Sequence, residues 1–467
     1  MKRHIEGDTM YEVDFSKPIH IHFIGIGGIS MSGLAEILLK ESFTISGSDA
    51  KESDLTRHLT SLGAQVFYGQ KAENILPGTD LVVYTAAIHP DNPEFIRAKE
   101  LDVPMLTRAQ LLGQIMAHYA RSIAVAGTHG KTTTTSMISQ VLLCGQEDPT
   151  ISVGGILKAI GSNIHVGNSD LFITEACEYT NSYHSFFPKY SIILNIEAEH
   201  LDFFKDLADV RSSFHKFAGN TKADGALIIN GEIPDYQEIT EGLSCQVITF
   251  GFTDACDYYP KDITYNELGC ATFTPVHKGE DLPRVSLSVP GLHNVGNALS
   301  CIALCQDMDL PWEQIAEGLH RFGGADRRFQ YKGKFHGATV IDDYAHHPTE
   351  IRASLSAAQN YPHERIICVF QPHTYTRTKA FLSDFADALS LADVVVLADI
   401  YAAREQDIYG VSSKDILRLL EEKQVEAYYF PSFAEIEDFL REKCMNGDLL
   451  ITMGAGNVVN IGEDLLK

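Results

Sequence analysis

The sequence predicts an α/β protein made of three consecutive α/β domains. Its 467 residues are too many for one compact core, because domains usually hold about 100 to 200 residues. Three successive series of short apolar runs alternate with helical stretches, which is typical of buried parallel strands joined by helices. We expect the domains to cover residues 1–115, 116–325 and 326–467, divided near Gly113 and Gly324.

The first domain is predicted to open with a strand, a glycine turn and a helix. Residues 19–24 form an apolar run interrupted by two histidines, residues 25–28 read Gly-Ile-Gly-Gly, and an apolar helical pattern follows from Met31 to Leu39. Leu81 to Tyr84 supply a later strand. This order indicates a nucleotide-binding α/β unit.

The second and third series each contain four short apolar runs. In the second they are residues 122–126, 171–174, 191–194 and 226–229. In the third they are residues 339–341, 366–370, 394–397 and 449–452. Continuous apolar runs of this length are typical of strands covered on both faces, so we expect mainly parallel sheets.

Composition and charge narrow the class of protein. Hydrophobic residues make up 45% of the chain, and no apolar run approaches the roughly 18 residues of a membrane span. The segment from Met1 to Lys17 is polar and unlike a secretory signal, so we expect a cytoplasmic protein. The net charge of -25 disfavours nonspecific binding to nucleic acid or to anionic membranes, and we expect neither as a partner.

One glycine-rich motif lies between an apolar run and a helical start: Gly127-Thr128-His129-Gly130-Lys131-Thr132-Thr133. Glycines let backbone N–H groups approach phosphate oxygens, the lysine adds a positive charge, and the first threonine hydroxyl after it can ligate magnesium. The general motif has four residues between its glycines, whereas this one has two. The chain has no Asn-Lys-x-Asp segment of the kind that reads guanine, which favours ATP over GTP. The alternative interpretation of the whole motif is a glycine turn that binds nothing.

The shortened phosphate loop resembles that of the Mur ligase family, whose members build the peptide of the bacterial cell-wall precursor. Further segments resemble family motifs in order along nearly the whole chain: residues 25–33, 173–178, 195–202, 291–298, 326–330, 342–350 and 370–373. The set is most similar to the branch that adds L-alanine. Two positions depart from the family pattern, since Cys177 stands where aspartate is common and Thr374 where arginine is common.

The resemblance implies an ATP-dependent ligase in peptidoglycan synthesis. Its substrates would be UDP-N-acetylmuramate, ATP and L-alanine, and its cofactor would be Mg²⁺. The lactyl carboxylate of the sugar would become an acyl phosphate, which the amine of L-alanine then attacks. The first domain would be Rossmann-like and hold the UDP-sugar, the central domain would be a P-loop ATPase, and the third, also Rossmann-like, would bring the amino acid.

The resemblance also implies roles for individual residues. The expected catalytic residues are Lys131, Glu175, His200 and Arg377. The expected magnesium ligands are Thr132, Glu175 and His200. The residues expected to bind ATP, besides the phosphate loop 127–133, are His293, Asn294, Asn297, Arg328 and Asp343. Those expected to bind the UDP-sugar are Gly25, Gly27, Gly28, Ser48 and Asp49, and those expected to bind L-alanine are His347 and Arg377.

The sequence leaves several alternatives open. Asp49, about 20 residues after the glycine turn, suits a nicotinamide dinucleotide as well as a UDP-sugar, because both carry a ribose. A ligase for a recycled murein tripeptide would share most motifs, although its opening glycine loop tends to contain cysteine and phenylalanine. A noncatalytic nucleotide-binding regulator could be built on the same domains. No general base is assigned, and no pattern indicates an oligomeric state.

Overall fold

The computed structural model describes residues 10–85, 88–200, 203–403 and 405–467. Leu201 and Asp202, which end one family-like motif, and residues 1–9 of the polar N-terminal segment lie outside the described residues. The described chain folds into three β-sheets, of five, eleven and six strands, with helices packed on them. The predicted α/β fold class is confirmed.

The first sheet is parallel throughout, with strand order β3-β2-β1-β4-β5. The predicted glycine turn connects its central strand to a helix that starts at Ile29. The bounds of the elements are β1 His20–Ile24, α1 Ile29–Lys40, β2 Thr44–Asp49, α2 Asp54–Ser61, β3 Gln65–Tyr68, β4 Leu81–Tyr84, α3 Pro93–Glu100, β5 Met105–Thr107 and α4 Arg108–His118, with a 3-10 segment at Ala72–Asn74.

The first expected domain division, near Gly113, falls inside α4. This helix packs on the 3-10 segment Tyr179–Ser185 of the next sheet's domain. A Cβ atom at Gly113 would lie 2.0 Å from the backbone oxygen of Ser185, so the close approach requires glycine. Helix α4 thus joins the first two sheets, and the exact domain limits stay a prediction.

The second sheet has a parallel centre and antiparallel margins. Its strand order is β15-β14-β13-β12-β11-β10-β6-β9-β7-β8, with β16 paired to β14. The bounds are β6 Arg121–Ala126, α5 Lys131–Cys144, β7 Thr150–Leu157, β8 Ser162–His165, β9 Leu171–Glu175, β10 Tyr190–Ile193, α6 Leu207–Gly219, β11 Ala226–Asn230, α7 Tyr236–Thr240, β12 Gln246–Phe250, β13 Tyr258–Tyr265, β14 Cys270–His277, β15 Glu280–Asp281, β16 Val285–Pro290, α8 Leu292–Asp307 and α9 Trp312–Arg321.

The four apolar runs predicted as parallel strands of this domain form the adjacent strands β11, β10, β6 and β9. The antiparallel strands β13 to β16 were not predicted. In β16, Val285, Leu287 and Val289 are buried. Ser288, which lies between Leu287 and Val289, is exposed. Such alternation is typical of a strand with one face in solvent, and it leaves no continuous apolar run to recognise.

The third sheet has the order β17-β18-β22-β19-β20-β21, and all its pairs are parallel except β17 with β18. The second expected division, near Gly324, falls between α9 and β17. The bounds are β17 Gln330–Phe335, β18 Ala338–Asp343, α10 Pro348–Ala358, β19 Ile366–Phe370, α11 Tyr375–Ala380, α12 Leu382–Leu389, β20 Val394–Leu397, α13 Ser413–Glu422, β21 Glu426–Tyr429, α14 Phe433–Lys443, β22 Leu449–Met453 and α15 Val459–Leu465.

The carboxyl ends of the parallel strands are where the motif residues gather. The phosphate loop follows β6, Glu175 ends β9, and Asp343 ends β18. Ligands of open α/β sheets bind outside these strand ends, so the fold positions the motifs for a common site. Within the described residues, none of the helices has the length and apolarity needed to cross a bilayer.

Candidate active site

The phosphate loop is held in a shape that presents backbone N–H groups to an anion. Gly130, at the start of α5, has φ of 83°, in the left-handed region that favours glycine. The side-chain amide of Asn195, after β10, accepts a hydrogen bond from the His129 N–H at 2.8 Å and donates one to the His129 carbonyl at 3.1 Å. The loop therefore enters α5 as a fixed turn at a helix N-terminus, a place that suits an anion.

Lys131 folds back over this loop and pairs with Glu178. Its ammonium donates to the backbone oxygens of Gly127 and Thr128, and it lies 2.9 Å from Glu178 Oε2. The Glu178 side chain is only 2% exposed. Burial alone would lower the pKa of Lys131, but the neighbouring charge of Glu178 raises it above its usual value. The lysine is thus a cation held in place by an internal counter-ion.

The expected magnesium ligands surround the same lysine. The Thr132 hydroxyl donates to Glu175 Oε2 at 3.0 Å, and Glu175 Oε1 accepts the Gly154 N–H at 2.6 Å. His200 Nε2 lies 3.7 Å from Glu178 Oε1. Burial lowers the pKa of His200, and the nearby carboxylates offset this fall only in part. The imidazole is therefore neutral and has a lone pair for a metal ion. The structure brings Thr132 and Glu175 into contact, and Glu178 lies between His200 and Lys131.

A cavity between the second and third sheets collects the residues expected to bind ATP. Its lining includes the loop residues His129, Gly130 and Thr133 together with His293, Asn294, Asn297, Arg328 and Asp343. The two asparagines are buried and already bonded: Asn297 Nδ2 donates to Asn294 Oδ1 at 3.1 Å, and Asn294 Nδ2 donates to the Pro290 carbonyl at 2.8 Å. The cavity is therefore built from both domains.

Asp343 is a buried carboxylate on the third-sheet side of this cavity. Its Oδ2 accepts the Ser354 hydroxyl at 2.6 Å and its Oδ1 accepts the Ala345 N–H at 2.9 Å. Burial raises the pKa of Asp343 from 3.8 to about 6, although both hydrogen bonds oppose the rise. The charged form of this carboxylate is therefore disfavoured in the folded protein.

The raised pKa of the Asp343 carboxyl predicts that the stability of the folded protein depends on pH. The folded protein holds the Asp343 proton more tightly than the unfolded chain does. The protonated carboxyl therefore adds to the free energy of unfolding in full below about pH 4, and this addition is lost as the pH rises through about 6. The total loss is about 3 kcal/mol, and about half of it falls between pH 5 and pH 8. Calorimetry should show the wild-type midpoint falling relative to Asp343→Asn over that range, by about 2–4 °C per kcal/mol. If the unfolding midpoints of the wild type and of Asp343→Asn changed in parallel with pH, this prediction would be wrong.

A second, larger cleft of about 670 Å³ opens where all three sheets meet. Gly28 and Arg108 line it from the first sheet, His200 from the second, and His373 and Arg377 from the third. Its volume suits a ligand of several hundred cubic ångströms, larger than an amino acid. Since Glu178 contacts both His200 and Lys131, this cleft adjoins the phosphate loop.

The glycine turn of the first domain brings together the residues expected to bind the UDP-sugar. Asp49 Oδ2 accepts the Gly27 N–H at 2.8 Å, and the Ser48 carbonyl accepts the Gly25 N–H at 2.8 Å. The Ser48 hydroxyl is fully buried and donates to Glu94 Oε2 at 2.6 Å. Ser48 thus supports the turn through its backbone, while its side chain faces the interior.

The two residues expected to bind L-alanine lie on either side of Glu199. Arg377 donates to Glu199 Oε1 from Nε at 3.1 Å and from a terminal nitrogen at 2.7 Å, and its other terminal nitrogen lies 3.0 Å from His373 Nδ1. Burial would raise the pKa of Glu199, but Arg377 lowers it to about 2. His347 Nε2 lies 3.9 Å from Glu199 Oε2. Thr374, a departure from the family pattern, caps the helix that carries Arg377.

Sequence reasoning missed several charged residues of these cavities. Arg108, at the start of α4, donates to the Ser30 hydroxyl at 3.0 Å and lines the large cleft. Within the described residues, no carboxylate forms an ion pair with it. Glu197 and Glu350, which flank His129, were also missed, and they raise the pKa of its imidazole to about 9 against the effect of burial. Glu197 and Glu350 lie within segments that resemble family motifs, residues 195–202 and 342–350, and this was the signal that could have found them.

Models of domain families match the chain in order along its length. They are the Mur ligase family, catalytic domain, over residues 20–120; the Mur ligase middle domain, over residues 125–305; and the Mur ligase, glutamate ligase domain, over residues 327–456. The UDP-N-acetylmuramate–L-alanine ligase of Agathobacter rectalis is 69% identical over 458 residues, covering 98% of this chain and 100% of that protein.

Solved structures show the same architecture. A UDP-N-acetylmuramate–alanine ligase from Thermotoga maritima matches with a TM-score of 0.78 at 30% identity, covering 96% of this chain and 98% of that one. A murein peptide ligase from Psychrobacter arcticus matches with a TM-score of 0.69 over the same shares of the two chains. At 23% identity, the second likeness shows the fold alone.

Proposed function

The chain belongs to the Mur ligase family, and on that premise we propose that it uses ATP to join L-alanine to the lactyl carboxylate of UDP-N-acetylmuramate in peptidoglycan precursor synthesis. A relative with that name is 69% identical over essentially the whole chain. Both nucleotide substrates belong to cytoplasmic metabolism, which supports a cytoplasmic location for the enzyme.

The observation that carries this proposal is the adjacency of the phosphate loop and the large cleft. Lys131 contacts Glu178, and Glu178 approaches His200, which lines the cleft. A terminal phosphate held at Lys131 would therefore face an acid bound in the cleft. Such adjacency of the two sites is one condition for a transfer of phosphate from ATP to a carboxylate.

The chain's own residues address the charge problem of this transfer. A carboxylate must approach the anionic terminal phosphate of ATP, and Lys131 together with the N–H groups of the loop opposes that repulsion. Thr132 and Glu175 offer oxygen donors 3.0 Å apart, which fits Mg²⁺, and His200 stands beside a second position. Bound there, Mg²⁺ would neutralise phosphate charge and stabilise the transferring group. The carboxylate would attack the terminal phosphate and ADP would leave. The amine of L-alanine would then attack the carbonyl carbon of the acyl phosphate, and phosphate and a proton would leave as the amide forms.

Each substrate is proposed to have its own domain. The first, residues 1–115, would hold the UDP-sugar at the turn of Gly25, Gly27 and Gly28, with Ser48 behind it and Asp49 and Arg108 beside it. The second, residues 116–325, would hold ATP at the phosphate loop with His293, Asn294 and Asn297, and Arg328 and Asp343 would reach it from the third. The third, residues 326–467, would bring L-alanine to His347 and Arg377. The contacts described above support this division.

Phosphate release tests the proposal directly. Purified protein with UDP-N-acetylmuramate, ATP and Mg²⁺ should release phosphate when L-alanine is added, and glycine, L-serine and murein tripeptide serve as parallel additions. The same assay on Lys131→Ala controls for contaminating phosphatases. Release with tripeptide alone would replace the L-alanine assignment by a recycling ligase, and the absence of release with every one of these amines would favour a noncatalytic nucleotide-binding regulator.

A further inference from the structure

Two histidines and a carboxylate meet where the phosphate loop touches the third domain. His129 comes from the loop, Glu197 from the segment after β10, and His347 from the start of α10. One ligand atom of each lies within 4.8 Å of the others. Glu197 Oε2 is 3.5 Å from His129 Nε2 and 3.8 Å from His347 Nδ1. These residues, His129, Glu197 and His347, are called the junction cluster below.

The junction cluster contains buried nitrogen atoms that nothing satisfies. Within the described residues, His129 Nε2 and His347 Nε2 are both buried without a hydrogen-bond partner. The whole of His347 is only 4% exposed. His129 Nε2 faces Glu197, whereas the His347 nitrogen on that side is Nδ1, which accepts the Thr349 N–H at 3.3 Å. A buried polar atom without a partner costs about 1–3 kcal/mol, so the unpartnered His129 Nε2 indicates a site that takes up a further group.

The surrounding carboxylates indicate the charge of that group. Glu197 faces one ring nitrogen of His347, and Glu199 Oε2, also buried and unpartnered within the described residues, lies 3.9 Å from the other. Glu199 thus lies beyond the His347 ring, and the atoms that face one small volume are His129 Nε2, His347 Nδ1 and Glu197 Oε2. Glu197 and Glu350 favour a proton on His129, so a metal ion that enters this volume displaces that proton. A cation that accepts both nitrogen and oxygen ligands satisfies this arrangement.

We propose that the junction cluster is a binding site for a divalent transition-metal ion of the zinc class. Zinc binds histidine nitrogen at about 2.0–2.1 Å and carboxylate oxygen at about 2.0–2.2 Å, so two such ligands in a tetrahedral site lie about 3.3 Å apart. The observed separations of 3.5 and 3.8 Å from Glu197 Oε2 exceed this value by a few tenths of an ångström, and the two histidine nitrogens lie within 4.8 Å of each other. Two imidazoles and a carboxylate suit zinc, whereas Mg²⁺ prefers oxygen ligands.

The site is separate from the one proposed for Mg²⁺ at Thr132, Glu175 and His200, and it does not depend on the ligase activity. An ion in the junction cluster would bind the phosphate loop and α10 at once. It would thereby join the second domain to the third through coordinate bonds. Metal binding should therefore raise the thermal unfolding midpoint of the chain, since a ligand that binds only the folded state stabilises it.

Metal titration of the full chain, stripped of metal and free of nucleotide, tests the site. Cobalt(II) should bind with one equivalent per chain and give the visible absorption of a tetrahedral site, and Zn²⁺ should displace it. His347→Gln and Glu197→Gln should each weaken Zn²⁺ binding by at least about 100-fold, since even residues that only support a metal ligand are worth about 10–100-fold. Magnesium in large excess should leave the bound Zn²⁺ in place.

The matched control is His58→Gln, which removes an exposed histidine 3.3 Å from the Glu36 carboxylate. It should leave Zn²⁺ affinity unchanged, because it lies outside the junction cluster. Unfolding without metal shows whether each variant is folded, and Glu197→Gln decides the question if His347→Gln does not fold. Wild-type Zn²⁺ affinity in a folded cluster variant, or displacement of Zn²⁺ by Mg²⁺, would overturn the proposal.

Discussion

Replacing Lys131 with alanine should lower turnover by at least about 1000-fold while UDP-N-acetylmuramate still binds with wild-type affinity. The ammonium lies on the phosphate loop, where charge develops when phosphate is transferred, and a preorganised cation at such a place contributes a factor of this size. Phosphate release measures turnover, and calorimetric titration measures binding of the sugar nucleotide.

Two further variants separate catalysis from folding in this experiment. Lys131→Ala leaves Glu178 buried without its counter-ion, which by itself destabilises the protein. Adding Glu178→Gln removes that charge, so the double variant should recover stability but not turnover. Lys443→Ala, at an exposed lysine of α14, should remain fully active. A folded Lys131→Ala protein that turns over normally would remove this lysine from the phosphate site.

Arg377→Ala should raise the KM for L-alanine by about 10- to 100-fold and change the KM for ATP far less. A charge-assisted pair of hydrogen bonds to a substrate carboxylate is worth about 1.5–3 kcal/mol. The guanidinium lines the large cleft beside His200, on the side of the third domain. Initial rates with each substrate varied in turn measure the two constants.

The Glu199 ion pair requires a control of its own. Arg377 already bonds to Glu199 and to His373, so its removal also leaves a carboxylate that is only 9% exposed. Glu199→Gln and the double variant show which effect is measured. If Arg377 contacts L-alanine, its removal still raises the KM in the Glu199→Gln background. Equal rises for L-alanine and ATP would exclude Arg377 from the amino-acid site.

The parallel strands and the phosphate loop could be predicted because their causes are local in sequence. A strand covered on both faces, such as β19, is a continuous apolar run, and the loop before α5 carries its glycines and lysine side by side. In β13 to β16 polar residues interrupt such runs, as Ser286 and Ser288 do in β16, which has one face in solvent. Those strands were missed although they complete the second sheet.

The sequence named candidate site residues, whose roles stay a prediction, but it did not show which of them contact each other. Arg377 and Glu199 are 178 positions apart, and only the meeting of two domains shows that they bond. Arg108 lacks a motif, so its place in the cleft depends on how α4 packs. The position of Ser48 beside the glycine turn could be predicted from the local sequence. The direction of its hydroxyl could not, because it depends on the hydrogen bond to Glu94.

Glu178 has a consequence for the end of the catalytic cycle. When ADP and phosphate depart, the ammonium of Lys131 does not face an empty, half-buried space, because this carboxylate is already in contact with it. An arriving triphosphate must compete with the same carboxylate. The protein thereby weakens its hold on every anion that visits the loop, which favours rapid exchange of spent nucleotide for fresh nucleotide over tight retention.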